Sequence, residues 1–133
     1  MNGRGASRAR NYGWSFARGE LLTFPDDDCH YPRGLLHRIL EVFDNPQVDG
    51  LMVQVEHLGR QDQMGGPITR ENVLLRCVES GFFFRRALLR DVRYDERMGV
   101  GADYPWNSDE GPDLLLRALE RRYCQLLWTA ELN

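Results

Sequence analysis

Three consecutive carboxylates, Asp26, Asp27 and Asp28, follow the short apolar run at 21–24 and precede His30 and Tyr31. Neighbouring carboxylates raise one another's pKa, so such a run is costly unless water, an arginine or a cation faces it. Residues two apart in an extended segment point the same way, which lets Asp26 and Asp28 converge on one ion while Asp27 turns aside. Oxygen-only ligation suits Mg2+ or Mn2+ better than zinc. Two carboxylates leave most of the shell to a ligand, and a diphosphate would complete it. His30 is a further candidate ligand, and Tyr31 could cover either a substrate ring or the core. The offsets beyond Asp28 lack the Gly and Glu of an EF-hand loop. The competing reading is turn chemistry, since Asp favours turns and caps helices.

A cation site needs a frame. The stretch at 6–20 reads as a helix, with Ser7 as N-cap, Ala9, Tyr12, Phe16 and Ala17 as the buried stripe, and Gly19 as a left-handed C-cap. Trp14 lies off that stripe and is ambiguous; with a covering half of the fold absent it would sit on an exposed patch. Residues 21–24 read as a buried strand. Pro32 opens a helix whose stripe is Leu35, Leu36, Ile39, Leu40 and Phe43. Residues 51–55 alternate as a second strand, and 73–78 and 81–84 read as strand-like pieces, with Phe82, Phe83 and Phe84 in the core. Residues 85–89 suggest helical turns, with Arg85 and Arg86 on a solvated face. A last helix over 112–122 would bury Leu114, Leu115, Ala118 and Leu119, and 123–128 would close the fold as a strand. The Gly-rich and polar stretches at 59–71 and 94–111 read as long loops. This alternation predicts an α/β layer with a mixed or parallel sheet. Its strands are few for a sheet covered on both faces, so another chain or a larger fold would supply neighbours.

The 133 residues suffice for one domain with a real core. A net charge of -3 gives no bulk attraction to nucleic acid or an anionic membrane. All seventeen basic residues are Arg, which excludes a Schiff-base lysine or a P-loop lysine. The three cysteines, Cys29, Cys77 and Cys124, form no CxxC pair. A reducing, cytoplasmic setting is expected, and no apolar run approaches the ~20 residues of a membrane span.

Two segments resemble the family 2-type glycosyltransferases of the GT-A fold. In "GASRARNYGWSFARGELLTFPDDDCHYPRGLL" the pair Arg10-Asn11 leads into the strand that ends in the Asp-x-Asp motif. The second segment, "GFFFRRALLRDVRYDERMGVGADYPWNSDEGPDLLLRAL", is similar to the acceptor side of the same enzymes. The likeness covers most of residues 5–120. It implies a partial GT-A three-layer sandwich with a mixed sheet, and inverting transfer of a sugar from a nucleotide-diphosphate sugar to a saccharide or other hydroxyl acceptor. Asp26 and Asp28 would hold Mn2+ or Mg2+ on the donor diphosphate; Arg8, Arg10, Asn11 and Asp27 would face the donor. Tyr104 and Trp106 would meet the acceptor. Where the family usually shows Glu-Asp, this chain has Glu110-Gly111-Pro112-Asp113, so the position often assigned to the base is Gly111. Glu110, Asp113 or Asp109 would take that role, or would only cap the helix. The family's N-terminal nucleotide-binding portion has no counterpart, so residues 1–133 are expected to form a single truncated domain lacking most of the donor pocket. The alternative is a non-catalytic α/β protein that self-associates through its incomplete sheet. A metal-dependent phosphohydrolase would need a positively charged partner and a further motif, and none is visible.

Overall fold

The computed structural model describes residues 4–54, 65–77, 79–121 and 124–129. Its elements are α1 (Ala6–Trp14), β1 (Leu21–Thr23), α2 (Leu35–Phe43), β2 (Gly50–Val53), β3 (Gly66–Pro67), α3 (Val73–Arg76), β4 (Phe82–Arg85), α4 (Arg86–Asp91), α5 (Glu110–Leu119) and β5 (Leu126–Thr129), with a 3-10 turn at Glu79–Gly81 before β4. Residues 59–64 of the predicted loop at 59–71 lie outside the described residues; the rest includes β3.

The five strands form one mixed, mostly antiparallel sheet in the order β1-β4-β2-β5-β3. β4 runs antiparallel to both β1 and β2, β5 is parallel to β2, and β3 is antiparallel to β5. Thr23 stands opposite Phe83, Met52 opposite Phe82, and Val53 opposite Thr129. The ends of β1, β2 and β5 and the start of β4 therefore share one edge of the sheet.

Alternation along the strands divides the core. Phe82 and Phe84 face one side with Met52, Leu126 and Trp128, under Leu88 and Leu89 of α4 and Leu114, Leu115 and Ala118 of α5. Phe83 faces the other side with Leu51 and Val53, under Leu35, Ile39 and Phe43 of α2. The molecule is thus a mixed α/β sandwich with helices on both faces.

α1 packs the other way round from the expectation. Tyr12 and Phe16 are 52% and 67% exposed, whereas Ser7 is fully buried. The inward face is Ser7, Arg10, Asn11 and Trp14, at i, i+3, i+4 and i+7. It is polar because its partners are polar: the Ser7 hydroxyl donates to the Met98 carbonyl at 2.7 Å. Burial of such groups is tolerated when they are hydrogen-bonded. Ser7 is accordingly inside the helix rather than its cap, which is Gly5, and the helix stops at Trp14, before Gly19. Trp14 packs against the core, with the Arg93 guanidinium 4.1 Å from its ring centre.

Other local expectations also change. Gly34, not Pro32, precedes the first turn of α2, and of its stripe Leu36 and Leu40 remain exposed. The expected strand at 73–78 includes the helical turn α3, where Asn72 accepts the Thr69 N–H and helps turn the chain. Arg85 and Arg86 are not a solvated face. Arg85 donates to the carbonyls of Phe43, Asn45 and Val48 after α2, and Arg86 donates to Ala17. Unpaired carbonyls at a helix end are favourable targets for a cation.

Candidate functional site

The aspartates stand at the shared strand edge, immediately after β1. Pro25 ends the strand, and the Cys29 N–H closes a turn on the Asp26 carbonyl at 3.2 Å. Asp26, Asp27, Asp28 and His30 are all exposed. Among the described residues no arginine pairs with any of the three carboxylates, and no group of three or more His, Cys, Asp or Glu side chains draws together as a metal cage. Exposed carboxylates of this kind fit only a hard cation whose shell is largely supplied by a bound ligand. Tyr31 anchors the loop from below: its hydroxyl lies 3.3 Å from Thr23 Oγ1 and 3.4 Å from the Ser80 carbonyl, and its ring packs on Phe83.

Ser80 belongs to the 3-10 turn that leads to the second cluster. Arg10 reaches from α1 to Glu110, the first residue of α5, at 2.8 Å. Both side chains are largely buried, and Arg10 also lies over the Tyr94 ring. Burial works against the Arg10 cation, but the bond to Glu110 and nearby negative groups raise its pKa above the ordinary value. Gly99 permits this approach. A side chain there would crowd both the Glu110 carboxylate and Ser7, and its φ of +96° is one that other residues rarely adopt.

Asn11 clamps the backbone at Tyr94, donating to its carbonyl at 2.9 Å and accepting its N–H at 3.1 Å. The same amide donates to Glu96, which pairs with Arg8 at 3.2 Å. Arg8, Arg10 and Asn11 thus all meet the 94–110 segment, Arg8 and Asn11 sharing Glu96 as an acceptor.

A residue that the sequence reading passed over completes this cluster. Glu79 places its carboxylate directly against Gly111. A Cβ on Gly111 would overlap that carboxylate and lie 2.9 Å from Cys77 Sγ. Burial raises the Glu79 pKa above the ordinary carboxylate range, its neighbour Glu110 adds to this, and Arg10 partly offsets it. Burial likewise drives the Cys77 thiol far up. The available signal in the sequence was a lone acid within an otherwise apolar approach to a strand.

The remaining candidates lie around the head of α5. Asp113 accepts from Arg117 Nε and Nη2 at 2.9 and 2.7 Å. Asp109 precedes the helix with φ +64°, the sole non-glycine positive φ among the described residues. Its exposed carboxylate accepts the Ser108 hydroxyl at 2.9 Å. Tyr104 and Trp106 stack on each other in the same loop, 5.9 Å between centroids and 12° from parallel, each about half exposed.

Comparison with known proteins places this arrangement in a wider group. The minor teichoic acid biosynthesis protein GgaB of Bacillus subtilis strain 168 is 25% identical over 114 residues, which cover 74% of this chain and 12% of that protein. A crystal structure of residues 1–349 of TarS from S. aureus superposes with a TM-score of 0.66 at 18% identity, over 95% of this chain and 40% of that one. The latter likeness is one of fold. The chain spans about an eighth of the curated relative and two fifths of the solved one. The model of the glycosyl transferase family 2 matches residues 1–70, more than half of the chain and the half that carries both Arg10-Asn11 and the three aspartates. The chain therefore belongs to glycosyl transferase family 2.

Proposed function

We propose that this domain takes part in transfer of a sugar from a nucleotide-diphosphate sugar to a hydroxyl acceptor, with inversion at the anomeric carbon. The observation that carries the proposal is the position of Asp26, Asp27 and Asp28: exposed, unpaired with arginine among the described residues, and at the strand edge where β1, β2 and β5 end. Ligands of open α/β sheets bind beyond the carboxyl ends of strands. Asp26 and Asp28 would hold Mn2+ or Mg2+ against the donor diphosphate, and Asp27 would turn toward the donor's ribose or sugar. Bound there, the cation would neutralise charge on the departing nucleoside diphosphate.

The chain's own residues would do the rest. Tyr31 keeps the aspartate loop tied to the start of β4. Arg10 and Asn11 act through the protein, holding α5 and the Tyr94 backbone, while Arg8, paired with Glu96, is the donor-facing candidate. The stacked Tyr104 and Trp106 offer an aromatic platform for an acceptor sugar, with Asp109 beside them. Glu110 and Asp113 are each engaged by an arginine, Arg10 and Arg117.

Manganese titration with and without uridine, guanosine or thymidine diphosphate, followed by calorimetry, tests the reading. Manganese is expected to tighten binding of one nucleotide, and Asp28→Ala to abolish that enhancement. Lack of enhancement in the unaltered chain would leave the non-catalytic, self-associating alternative in its place.

A further inference from the structure

We propose that Glu79 is the base that takes the acceptor's proton, a role that rests on the transferase reading above. The geometry is that of a displaced side chain. Gly111 has none, and the space a side chain would fill beside it is occupied by the Glu79 carboxylate. The head of α5 therefore carries a carboxylate delivered from the 3-10 turn before β4. That turn is joined through the Ser80 carbonyl to Tyr31, and so to the aspartate loop.

The other acids are worse placed for the task. Glu110 is bound to Arg10, and Asp113 to Arg117. Asp109 is exposed and already accepts the Ser108 hydroxyl. Glu79 is only partly covered, makes no ion pair among the described residues, and faces Glu110, Arg10, Cys77 and Tyr94. Burial favours its protonated form, so its conjugate base is the stronger one at neutral pH.

In the reaction the acceptor O–H bond breaks and its proton passes to a Glu79 carboxylate oxygen. The acceptor oxygen's electron pair forms the bond to the anomeric carbon. The bond from that carbon to the phosphate oxygen breaks, and its electron pair leaves with the nucleoside diphosphate.

The experiment measures nucleoside diphosphate release from uridine, guanosine and thymidine diphosphate sugars with Mn2+, water serving as acceptor, together with manganese-dependent nucleotide binding. Glu79→Gln is expected to lower release ~100-fold, to erase the acid limb of the pH–rate profile, and to leave binding unchanged. Glu79→Ala vacates the space beside residue 111, so adding Gly111→Asp in that background should restore release and the acid limb. Release within about threefold of the unaltered chain in Glu79→Gln, or an acid limb erased by Asp109→Asn instead, would overturn the role of Glu79 and leave the transferase reading intact. Binding without release in the unaltered chain would also overturn it. Failure of the unaltered chain to bind nucleotide with manganese would remove the transferase reading, and the base with it.

Discussion

Arg10 and Glu110 show how much one pair can decide. Their bond at 2.8 Å is largely shielded from water and joins the first helix to the last. Arg10→Ala would leave the Glu110 charge buried without its partner, and the expected loss is about 3–5 kcal/mol in urea denaturation. A loss below about 1 kcal/mol would mean that water reaches the carboxylate. Glu79 predicts the opposite sign. Its folded-state pKa lies above the ordinary value of 4.5, so between the two the folded protein binds more protons than the unfolded one, and stability falls as pH rises. The cost is fully present above the folded-state pKa and disappears below about pH 4, where the unfolded chain is protonated too. Glu79→Gln should therefore raise the melting temperature at pH 7 and lose that advantage near pH 3.5. An equal gain at both values would assign the effect to packing. Stability sacrificed at a buried acid is common where a group is kept for chemistry.

α1 illustrates the limit of periodicity at the scale of an element. Its apolar residues sit at helical spacing, yet Tyr12 and Phe16 face outward and pack edge to face on each other. The inward face is chosen by hydrogen-bond partners contributed by residues more than eighty positions away. Hydrophobic spacing carries no information about such partners. The combined change Tyr12→Ser and Phe16→Ser should alter stability by no more than about 0.5 kcal/mol, as for exposed positions generally. Ser7→Val should cost about 1–3 kcal/mol by leaving the Met98 carbonyl unpaired. Chemical denaturation of the two variants would reveal a reversed helix if the order of their effects were the other way. In α2 and α5 the apolar stripe does point inward at Leu35, Ile39, Phe43, Leu114, Leu115 and Ala118, because their partners are the apolar faces of the sheet.

Across the whole molecule, the division into two cores follows from three adjacent phenylalanines. Phe82 and Phe84 serve one face and Phe83 the other, as a strand covered on both sides requires. β1 and β3 form the outer strands of the sheet among the described residues, and no described helix is long and apolar enough to cross a membrane. The antiparallel insertion of β4 between β1 and β2 has a functional consequence. It brings the residues before β4 to the same edge as those after β1, and so lets Glu79 and the aspartates share one end of the sheet.

Composition and local order were enough to point to a mixed α/β layer, the aspartate run after a short strand, and the acid-rich start of the last long helix. These are local properties, encoded in turn formers, apolar spacing and neighbouring charges. Strand order, the inward face of α1, the pairing of Arg10 with Glu110 and the seating of Glu79 in the space beside Gly111 were decided by the tertiary structure. Each depends on groups far apart in the chain whose burial is tolerable only when they meet, and no pattern within a single segment records that condition.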